Sequence, residues 1–212
     1  MKNTNNDRIQ YLTAEQLEHV MRVIHEQGTA RDAALFLSIY HWAMRASEAA
    51  ELRADAINWD TMQATIVGKK DGRTANLFIV DVKGQPHMSQ EKALRRYFAE
   101  RKRNNVMTSF VFESQKGGDL SPDSVNRLFK KYVMLTNKER AAQGLPLIPK
   151  EVTHVHALRH TFCTLSFESG MSLNHIAKIA RHRSLATTAK YEHASSLVAS
   201  QSWQKKVYEI HG

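Results

Sequence analysis

The sequence has little cysteine, little proline and a shortage of acidic residues, and these shortages exclude some classes of protein. Its one cysteine, Cys163, cannot form a disulfide within the chain, so a disulfide-stabilised secreted domain is excluded and a reducing interior is favoured. The first ten residues hold no apolar core typical of a signal peptide, and no stretch reaches the ~20 apolar residues of a membrane span. We therefore expect a cytoplasmic protein that does not enter a membrane.

The charge of the chain is strongly one-sided. Lys and Arg number 30 against 21 Asp and Glu, which gives a formal net charge of +9. Such an excess favours a polyanionic partner, usually nucleic acid, although a soluble basic protein with no such partner has the same composition. Hydrophobic residues make up 42% of the chain, enough for a buried core, so intrinsic disorder is not expected.

Turn and capping residues divide the first half of the chain into helices and one hairpin. Thr13 and Gln16 fit a capping box that opens a helix, and Gly28 ends it. Two further helices are predicted over residues 30–43 and 47–52, with Ser47 as N-cap of the second. Residues 64–67 and 76–80 are rich in β-branched and aromatic residues around a basic turn, which predicts a β-hairpin.

The second half is predicted to be helical with one long loop. A helix with a basic end is expected over 88–103, and Ser121-Pro122 has the pattern of a helix start. Residues 137–150 hold two of the four prolines, which predicts a loop. Further helices are expected over 157–169, 172–181, 185–191 and 195–209. The fold class is therefore mainly α with a small antiparallel β-sheet, an α+β fold.

A set of cationic and proton-transferring side chains is spread over four segments. Taken alone, each member is more simply explained as surface, capping or core. Together they match the needs of phosphoryl transfer without a metal. Arginine neutralises charge on non-bridging phosphate oxygens, a tyrosine hydroxyl needs cationic surroundings to act as a nucleophile, and lysine or histidine can protonate a leaving oxygen. The members are Arg45, Glu48, Lys69, His156, Arg159, His160, His182 and Tyr191.

The order and spacing of these segments resemble the catalytic domain of the tyrosine recombinase (phage integrase) family. Trp42-Ala-Met-Arg45-Ala-Ser-Glu48-Ala-Ala-Glu-Leu52 resembles the family motif Gly-x-Arg-x-Ser-Glu-x-x-x-Leu. His156-Ala-Leu-Arg159-His160 resembles His-x-x-Arg-His, and the segment from Ile179 to His193 resembles Leu-Gly-His-x-x-x-x-Thr-Thr-x-x-Tyr-x-His. Gly68-Lys69 stands on the hairpin where the family has its lysine. The resemblance covers roughly residues 12–195.

The resemblance implies a role for each matching residue. Arg45 and Arg159 would bind the scissile phosphate, and Tyr191 would form a 3′-phosphotyrosyl link. Lys69 would protonate the leaving 5′ oxygen, and His156 would assist proton transfer at the tyrosine. His182 would donate a hydrogen bond to the phosphate. Glu48 would orient the active-site cations, and neither a metal nor another cofactor would be needed.

The chain departs from the family motifs at two glycines. Ala43 replaces the glycine of the first motif, and Arg181 replaces the glycine before His182. Neither change removes a catalytic group, and Arg181 is expected to add a phosphate contact. The expected DNA-binding residues are Lys70, Arg73, His160, Arg181 and Arg183. Lys70 remains an alternative to Lys69 as the general acid. Cys163 is expected to be a core residue.

The implied function is site-specific recombination on double-stranded DNA, by integration, excision or inversion of a segment. The resemblance implies a homotetramer on two DNA sites, with accessory DNA-bending proteins as further candidate partners. A type IB topoisomerase and a DNA-binding regulator without catalysis are the alternatives.

The resemblance also sets the expected division of the chain. Residues 1–11 would be a flexible arm, 12–194 the catalytic domain, and 195–212 a tail helix that packs on its own core or on a neighbouring protomer. Most family members carry a core-binding domain before the catalytic domain. Here either the protein is naturally single-domain, as the small fimbrial-switch invertases are, or the chain is a fragment.

Overall fold

A computed structural model describes residues 10–68, 72–114 and 120–191, and the fold class is confirmed as mainly α with a small antiparallel sheet. Helices α1 to α7 span Ala14–Gln27, Ala30–His41, Ala46–Ala50, Gln90–Arg103, Pro122–Ala142, His156–Glu168 and Leu173–Ala180. Strands β1 to β3 span Ile57–Asn58, Gln63–Val67 and Thr74–Phe78. Residues 185–191 are also helical. Among the residues described, no helix is long and apolar enough to cross a lipid bilayer.

Local capping signals begin the helices where the sequence predicts. The Thr13 side chain accepts a hydrogen bond from the Gln16 backbone N–H, and the Gln16 side chain returns one to the Thr13 N–H. Gly28 is the C-cap of α1. Ser121 caps α5 through the Ser124 N–H, with Pro122 in the first turn. These caps satisfy backbone donors that a helix start leaves without partners.

Helix α2 lies at the centre of the core. Every residue from Ala30 to Ile39 is buried, and α2 packs against α1, α3, α4 and α6. A helix enclosed on all sides has no polar face. Its two charged residues are paired, since Arg31 Nη2 lies 2.6 Å from Asp32 Oδ1 and the Tyr132 hydroxyl donates to Asp32 Oδ2 at 2.7 Å.

The hairpin forms in antiparallel register and is joined to the end of α2. Gln63 pairs with Phe78 and Val67 with Thr74, so β3 begins two residues earlier than predicted. The indole N–H of the buried Trp42 donates to the Phe78 carbonyl at 2.9 Å. The short strand β1, which pairs with β2, was not predicted. The order of the sheet is β1-β2-β3.

Two predicted boundaries are wrong. Residues 137–142, predicted as loop, continue α5, because Arg140 is buried there and donates to Glu15 Oε1 at 2.9 Å and to the Pro146 carbonyl at 2.7 Å. Helix α3 begins at Ala46 with Arg45 as its N-cap, not at Ser47. The helix predicted over 195–209 and residues 1–9 of the arm predicted over 1–11 lie outside the described residues.

Candidate active site

Three of the four motif segments are brought to one place by the fold, and Lys69 of the fourth lies outside the described residues. The turn after α2 holds Arg45, α6 presents His156, Arg159 and His160 on successive turns, and the end of α7 leads into His182. The helical residues 185–191 then return Tyr191 to the same place, where its ring lies against those of His160 and His182.

Arg45 is held at the start of α3 by Glu48. Glu48 Oε2 accepts a hydrogen bond from the Arg45 backbone N–H at 2.9 Å, and Glu48 Oε1 accepts one from Arg45 Nη1 at 2.6 Å. A carboxylate three residues into a helix commonly satisfies the N-cap N–H in this way. The second bond fixes the direction of the guanidinium, which stays part-exposed.

Glu48 is a buried carboxylate among three guanidinium groups. It is 4% exposed, lies 2.8 Å from Arg181 Nη2, and lies 4.0 Å from Arg159 Nη1. Burial by itself raises the pKa of Glu48, but the charge of Arg181, the Arg45 N–H and the charge of Arg159 outweigh burial and hold the pKa below its usual value. Glu48 is therefore ionised at neutral pH.

Arg159 joins the first motif to the last. Its side chain is buried, and its two terminal nitrogens donate to the backbone carbonyls of Ala43 and Ala180. These bonds bring the turn before Arg45 and the end of α7 together around one guanidinium.

His160, rather than His156, contacts the tyrosine. The Nδ1 atom of His160 lies 2.9 Å from the Tyr191 hydroxyl, and the His156 ring packs edge-on against the His160 ring, with centroids 4.5 Å apart. His156 is exposed at the edge of the site. His160 was predicted as a DNA contact, and the structure gives it a contact with Tyr191 that the sequence did not indicate.

Tyr191 is enclosed. It is 2% exposed, and it packs with Ala43, Cys163, Ile176 and Ala180. Burial, followed by the neighbouring Cys163 thiol, raises the pKa of Tyr191 far above that of a free tyrosine. The phenol is therefore un-ionised here, and its hydroxyl needs both exposure and a base before it can act as a nucleophile.

His182 is oriented by a residue to which we assigned no role. Its Nδ1 lies 2.8 Å from the hydroxyl of the buried Thr188, and its ring stacks on Tyr191 with centroids 6.0 Å apart and planes 5° apart. Thr188 belongs to the Thr-Thr pair of the last motif and lies one helical turn before Tyr191. This position in the sequence could have indicated that Thr188 contacts the site. The contact leaves Nε2 of His182 as the nitrogen that can face a ligand.

The remaining predicted site residues lie in different environments. Lys69 and Lys70 lie outside the described residues. Arg73 is exposed and donates from Nη1 to the His182 carbonyl at 2.5 Å, and Arg183 is exposed. Arg181 was expected to contact a phosphate, and its side chain is 3% exposed and bonded to Glu48 and to backbone carbonyls.

A groove of about 960 Å³ runs beside the site between β3 and α7. Basic residues contribute to its walls, but Tyr191 does not line it. The lining includes Arg73, His175, Lys178, His182 and Arg183. Within the described ranges, no group of three or more His, Cys, Asp or Glu side chains is arranged to hold a metal ion.

Comparison with known proteins decides the family. A model of the phage integrase family matches residues 10–197, which is most of the chain. The chain belongs to the phage integrase family.

Similar proteins within the phage integrase family include recombinases and a resolvase. The tyrosine recombinase XerA of Pyrococcus furiosus is 29% identical over 181 residues, which are 85% of this chain and 56% of that protein. The TnP I resolvase of Bacillus thuringiensis is 25% identical over 179 residues, 84% of this chain and 55% of the resolvase. The chain thus spans somewhat more than half the length of these curated relatives.

Solved structures of similar fold include recombinases bound to DNA. The XerH site-specific recombinase in its post-cleavage complex with palindromic difH has a TM-score of 0.73 at 22% identity, over 95% of this chain and 54% of that one. The Tn1549 transposon integrase with a circular intermediate DNA has a TM-score of 0.70 at 20% identity, over 89% and 63%. These matches establish the fold. None of the proteins named here is described as a topoisomerase.

This phage integrase family member should lose stability in weak acid, because burial keeps site histidines neutral. Burial, followed by the charges of Arg159 and Arg45, lowers the pKa of His182 to about 3, and burial, followed by the neighbouring His156 and His154, lowers the pKa of His160 to about 3. The unfolded chain takes up these protons near pH 6.5, so it gains protons first as the pH falls. Stability present above about pH 6.5 is then lost progressively toward pH 3.

The size of this effect can be measured by urea unfolding at several pH values. For the buried His182 alone, a pKa of about 3 predicts a loss of about 2 kcal/mol between pH 8 and pH 5. His182→Gln should reduce the slope of the unfolding free energy against pH. His175→Gln, at an exposed position on α7, should leave that slope unchanged. Equal slopes for the wild-type chain and His182→Gln would contradict the prediction.

Proposed function

We propose that this protein is a site-specific DNA recombinase that cleaves and rejoins DNA through a 3′-phosphotyrosyl link to Tyr191. The observation on which this depends is that Tyr191 lies against two histidines and within the electrostatic influence of Arg159 and Arg45, on a fold that other recombinases share. Family membership supports the same reaction. The complexes of XerH with palindromic difH and of the Tn1549 integrase with a circular intermediate DNA support DNA as the partner.

In the proposed reaction, Arg45 and Arg159 bind the non-bridging oxygens of the scissile phosphate. Charge on these oxygens grows during transfer, and guanidinium groups already fixed by the protein stabilise it without reorganisation. Arg45 is directed by Glu48, and Arg159 is directed by two backbone carbonyls. His182, oriented by Thr188, completes the set of donors.

The tyrosine must first leave its enclosed position. When DNA binds, we propose that the Tyr191 hydroxyl moves to the phosphorus and gives its proton to a histidine. His160 is the better candidate for this acceptor, because its Nδ1 already lies 2.9 Å from the hydroxyl and its lowered pKa keeps it neutral. His156, the candidate from the sequence, would act through its ring contact with His160.

The proposed bond changes balance without ATP. The Tyr191 oxygen forms a bond to phosphorus, the bond from phosphorus to the 5′ oxygen breaks, and Lys69 gives a proton to that oxygen. Lys70 remains the alternative general acid. Attack by a 5′ hydroxyl of another strand reverses these steps and releases Tyr191. Each step replaces one phosphate ester by another, so no ATP is consumed.

Further proposals concern how the DNA is held. Lys70, Arg73 and Arg183 are proposed phosphate contacts, and His160 keeps its proposed place near the DNA through Tyr191. Residues 12–194 would form the catalytic domain, and 195–212 a tail helix exchanged between protomers of a tetramer. Accessory DNA-bending proteins would assist assembly, and the protein would act in the cytoplasm.

The proposal is tested by covalent capture of DNA. The chain is incubated with a library of duplexes that carry a nick beside a randomised half-site, so that the short cleaved strand diffuses away and the protein stays attached. An adduct that survives denaturation and yields one enriched half-site is the expected result. No adduct from any member of the library would contradict the proposed function.

DNA affinity should fall steeply with salt. Each phosphate that a cation neutralises releases condensed counterions, so the logarithm of the binding constant should fall by about 0.9 per contact for each unit of log salt. Fluorescence anisotropy with the recovered half-site between 50 and 300 mM KCl measures this slope. A flat response would contradict a basic DNA-binding face.

A further inference from the structure

Arg181 stands at a position where the backbone disfavours a side chain. It caps the C-terminus of α7 with φ 52° and ψ 46°, in the left-handed region that glycine adopts without cost. The family motif has glycine here, and a side chain in this conformation costs about 1 kcal/mol. An arginine in this left-handed conformation needs a compensating interaction.

The buried guanidinium of Arg181 supplies that interaction. Its Nη2 donates to Glu48 Oε2 at 2.8 Å, and its terminal nitrogens reach the Trp42 carbonyl at 3.2 Å and the Ala43 carbonyl at 3.3 Å. Nη1 also donates to the Ile179 carbonyl at 2.6 Å. One side chain thus connects the end of α7 to the first motif, 133 residues away along the chain.

The segment that Arg181 contacts also contains a residue in the left-handed region of φ and ψ. Ala43 has φ 45° and occupies the other position where the family has glycine. Its carbonyl accepts hydrogen bonds from both Arg159 and Arg181. The two replaced glycines are therefore neighbours in space, and two guanidinium groups hold their corners together.

The geometry points to Arg181 as a positioning residue for the proposed cleavage reaction, acting through Glu48 and through the backbone on either side of it. Toward the first motif, Arg181 donates a hydrogen bond to Glu48 Oε2, and Arg159 Nη1 lies 4.0 Å from that same oxygen. Arg159 donates its hydrogen bonds to backbone carbonyls instead. Toward the last motif, it fixes the corner that immediately precedes His182. This inference rests on the proposed function.

The charge of Arg181 has a measurable consequence at Glu48. Of the influences that lower the pKa of Glu48, Arg181 is the largest, ahead of the Arg45 N–H and Arg159. Its removal should raise the pKa of Glu48, and the carboxylate would then lose its charge at a higher pH. A role confined to packing would not shift that titration.

The test compares Arg181→Gly, Arg181→Lys and a matched control, Arg53→Gly. Arg53 is an exposed arginine paired with Asp55 at 2.9 Å, outside the site. Single-turnover adduct formation is measured on the nicked half-site duplex from pH 5 to pH 9, together with affinity for that duplex. We expect Arg181→Gly to cleave at least about tenfold more slowly, as for misplaced catalytic groups, with affinity within about twofold of wild type.

Two readouts separate positioning from simple loss of structure. The acid limb of the Arg181→Gly rate profile should move to higher pH, and millimolar guanidinium ion should restore part of its rate. Arg181→Lys should be intermediate, and Arg53→Gly should match wild type in both readouts. If Arg181→Gly does not fold, the same comparison is made with Arg181→Gln, which also removes the positive charge and whose acid limb should also move.

The outcomes distinguish the two proposals. If the wild-type chain forms no adduct, the proposed function fails. If the wild-type chain forms the adduct and Arg181→Gly has the same rate and pH profile, only the inference about Arg181 is overturned. A slower Arg181→Gly variant with an unshifted profile and no response to guanidinium also overturns it, because the residue would then be merely structural.

Discussion

Tyr191→Phe should abolish the covalent DNA adduct while leaving the protein folded. The substitution removes the only proposed nucleophile, and we expect at least about a thousandfold loss of adduct formation, since no other group replaces a missing nucleophile efficiently. The phenylalanine ring keeps the packing with His182 and Ile176. Loss of the hydroxyl contact with His160 should cost about 1–2 kcal/mol of unfolding free energy.

The matched control for this prediction is Tyr11→Phe. The Tyr11 hydroxyl donates to Glu168 at 3.3 Å on the surface, so the same atom is removed away from the site. Tyr11→Phe should form the adduct at the wild-type rate. Adduct that persists in Tyr191→Phe, mapped by mass spectrometry to another residue, would overturn the assignment of the nucleophile.

Glu48→Ala should give the largest loss of stability in the site. It leaves the buried Arg181 without its carboxylate and removes two hydrogen bonds to Arg45. A buried charge that loses its partner costs about 3–5 kcal/mol, and urea unfolding at pH 7 measures this directly. Cleavage should also fall about a hundredfold, because Arg45 loses the group that directs it.

Glu26→Ala provides the comparison for a surface ion pair. Glu26 pairs with Arg22 at 2.9 Å, four residues apart on α1, and its side chain is 50% exposed. Such pairs contribute about 0.3–0.5 kcal/mol, so this variant should unfold almost as the wild-type chain does. Equal effects of Glu48→Ala and Glu26→Ala would contradict the view that Glu48 is the central anion of the site.

The parts of the fold that the sequence predicted are those set by local chemistry. The capping box at Thr13 and the helix start at Ser121-Pro122 depend on atoms within four residues, so their signal lies in a short window. The hairpin was predicted from its β-branched and aromatic residues and from the turn residues between them. The motif residues Arg45, Arg159, His182 and Tyr191 were predicted from their order and spacing, and their catalytic roles stay predictions.

The parts that were missed depend on distant partners. The sequence of the last turn of α5 predicts a loop. In the structure, however, Arg140 is buried in this turn and donates a hydrogen bond to Glu15, 125 residues away. Arg181 reads as a surface cation, and only its proximity to Glu48 explains its burial. The contact between His160 and Tyr191 likewise exists only once α6 and the helical residues 185–191 have packed together.

The hydrogen bond from the Trp42 indole to the Phe78 carbonyl connects the hairpin to one side of the site. It joins β3 to the segment that precedes Arg45, so the hairpin and the arginine turn are held to each other. Tyr191 belongs to the opposite side, at the end of the helical residues 185–191. In the proposed reaction, we therefore expect the tyrosine hydroxyl to reach the phosphate by a movement of that helix, while Arg45 and Arg159 keep their positions.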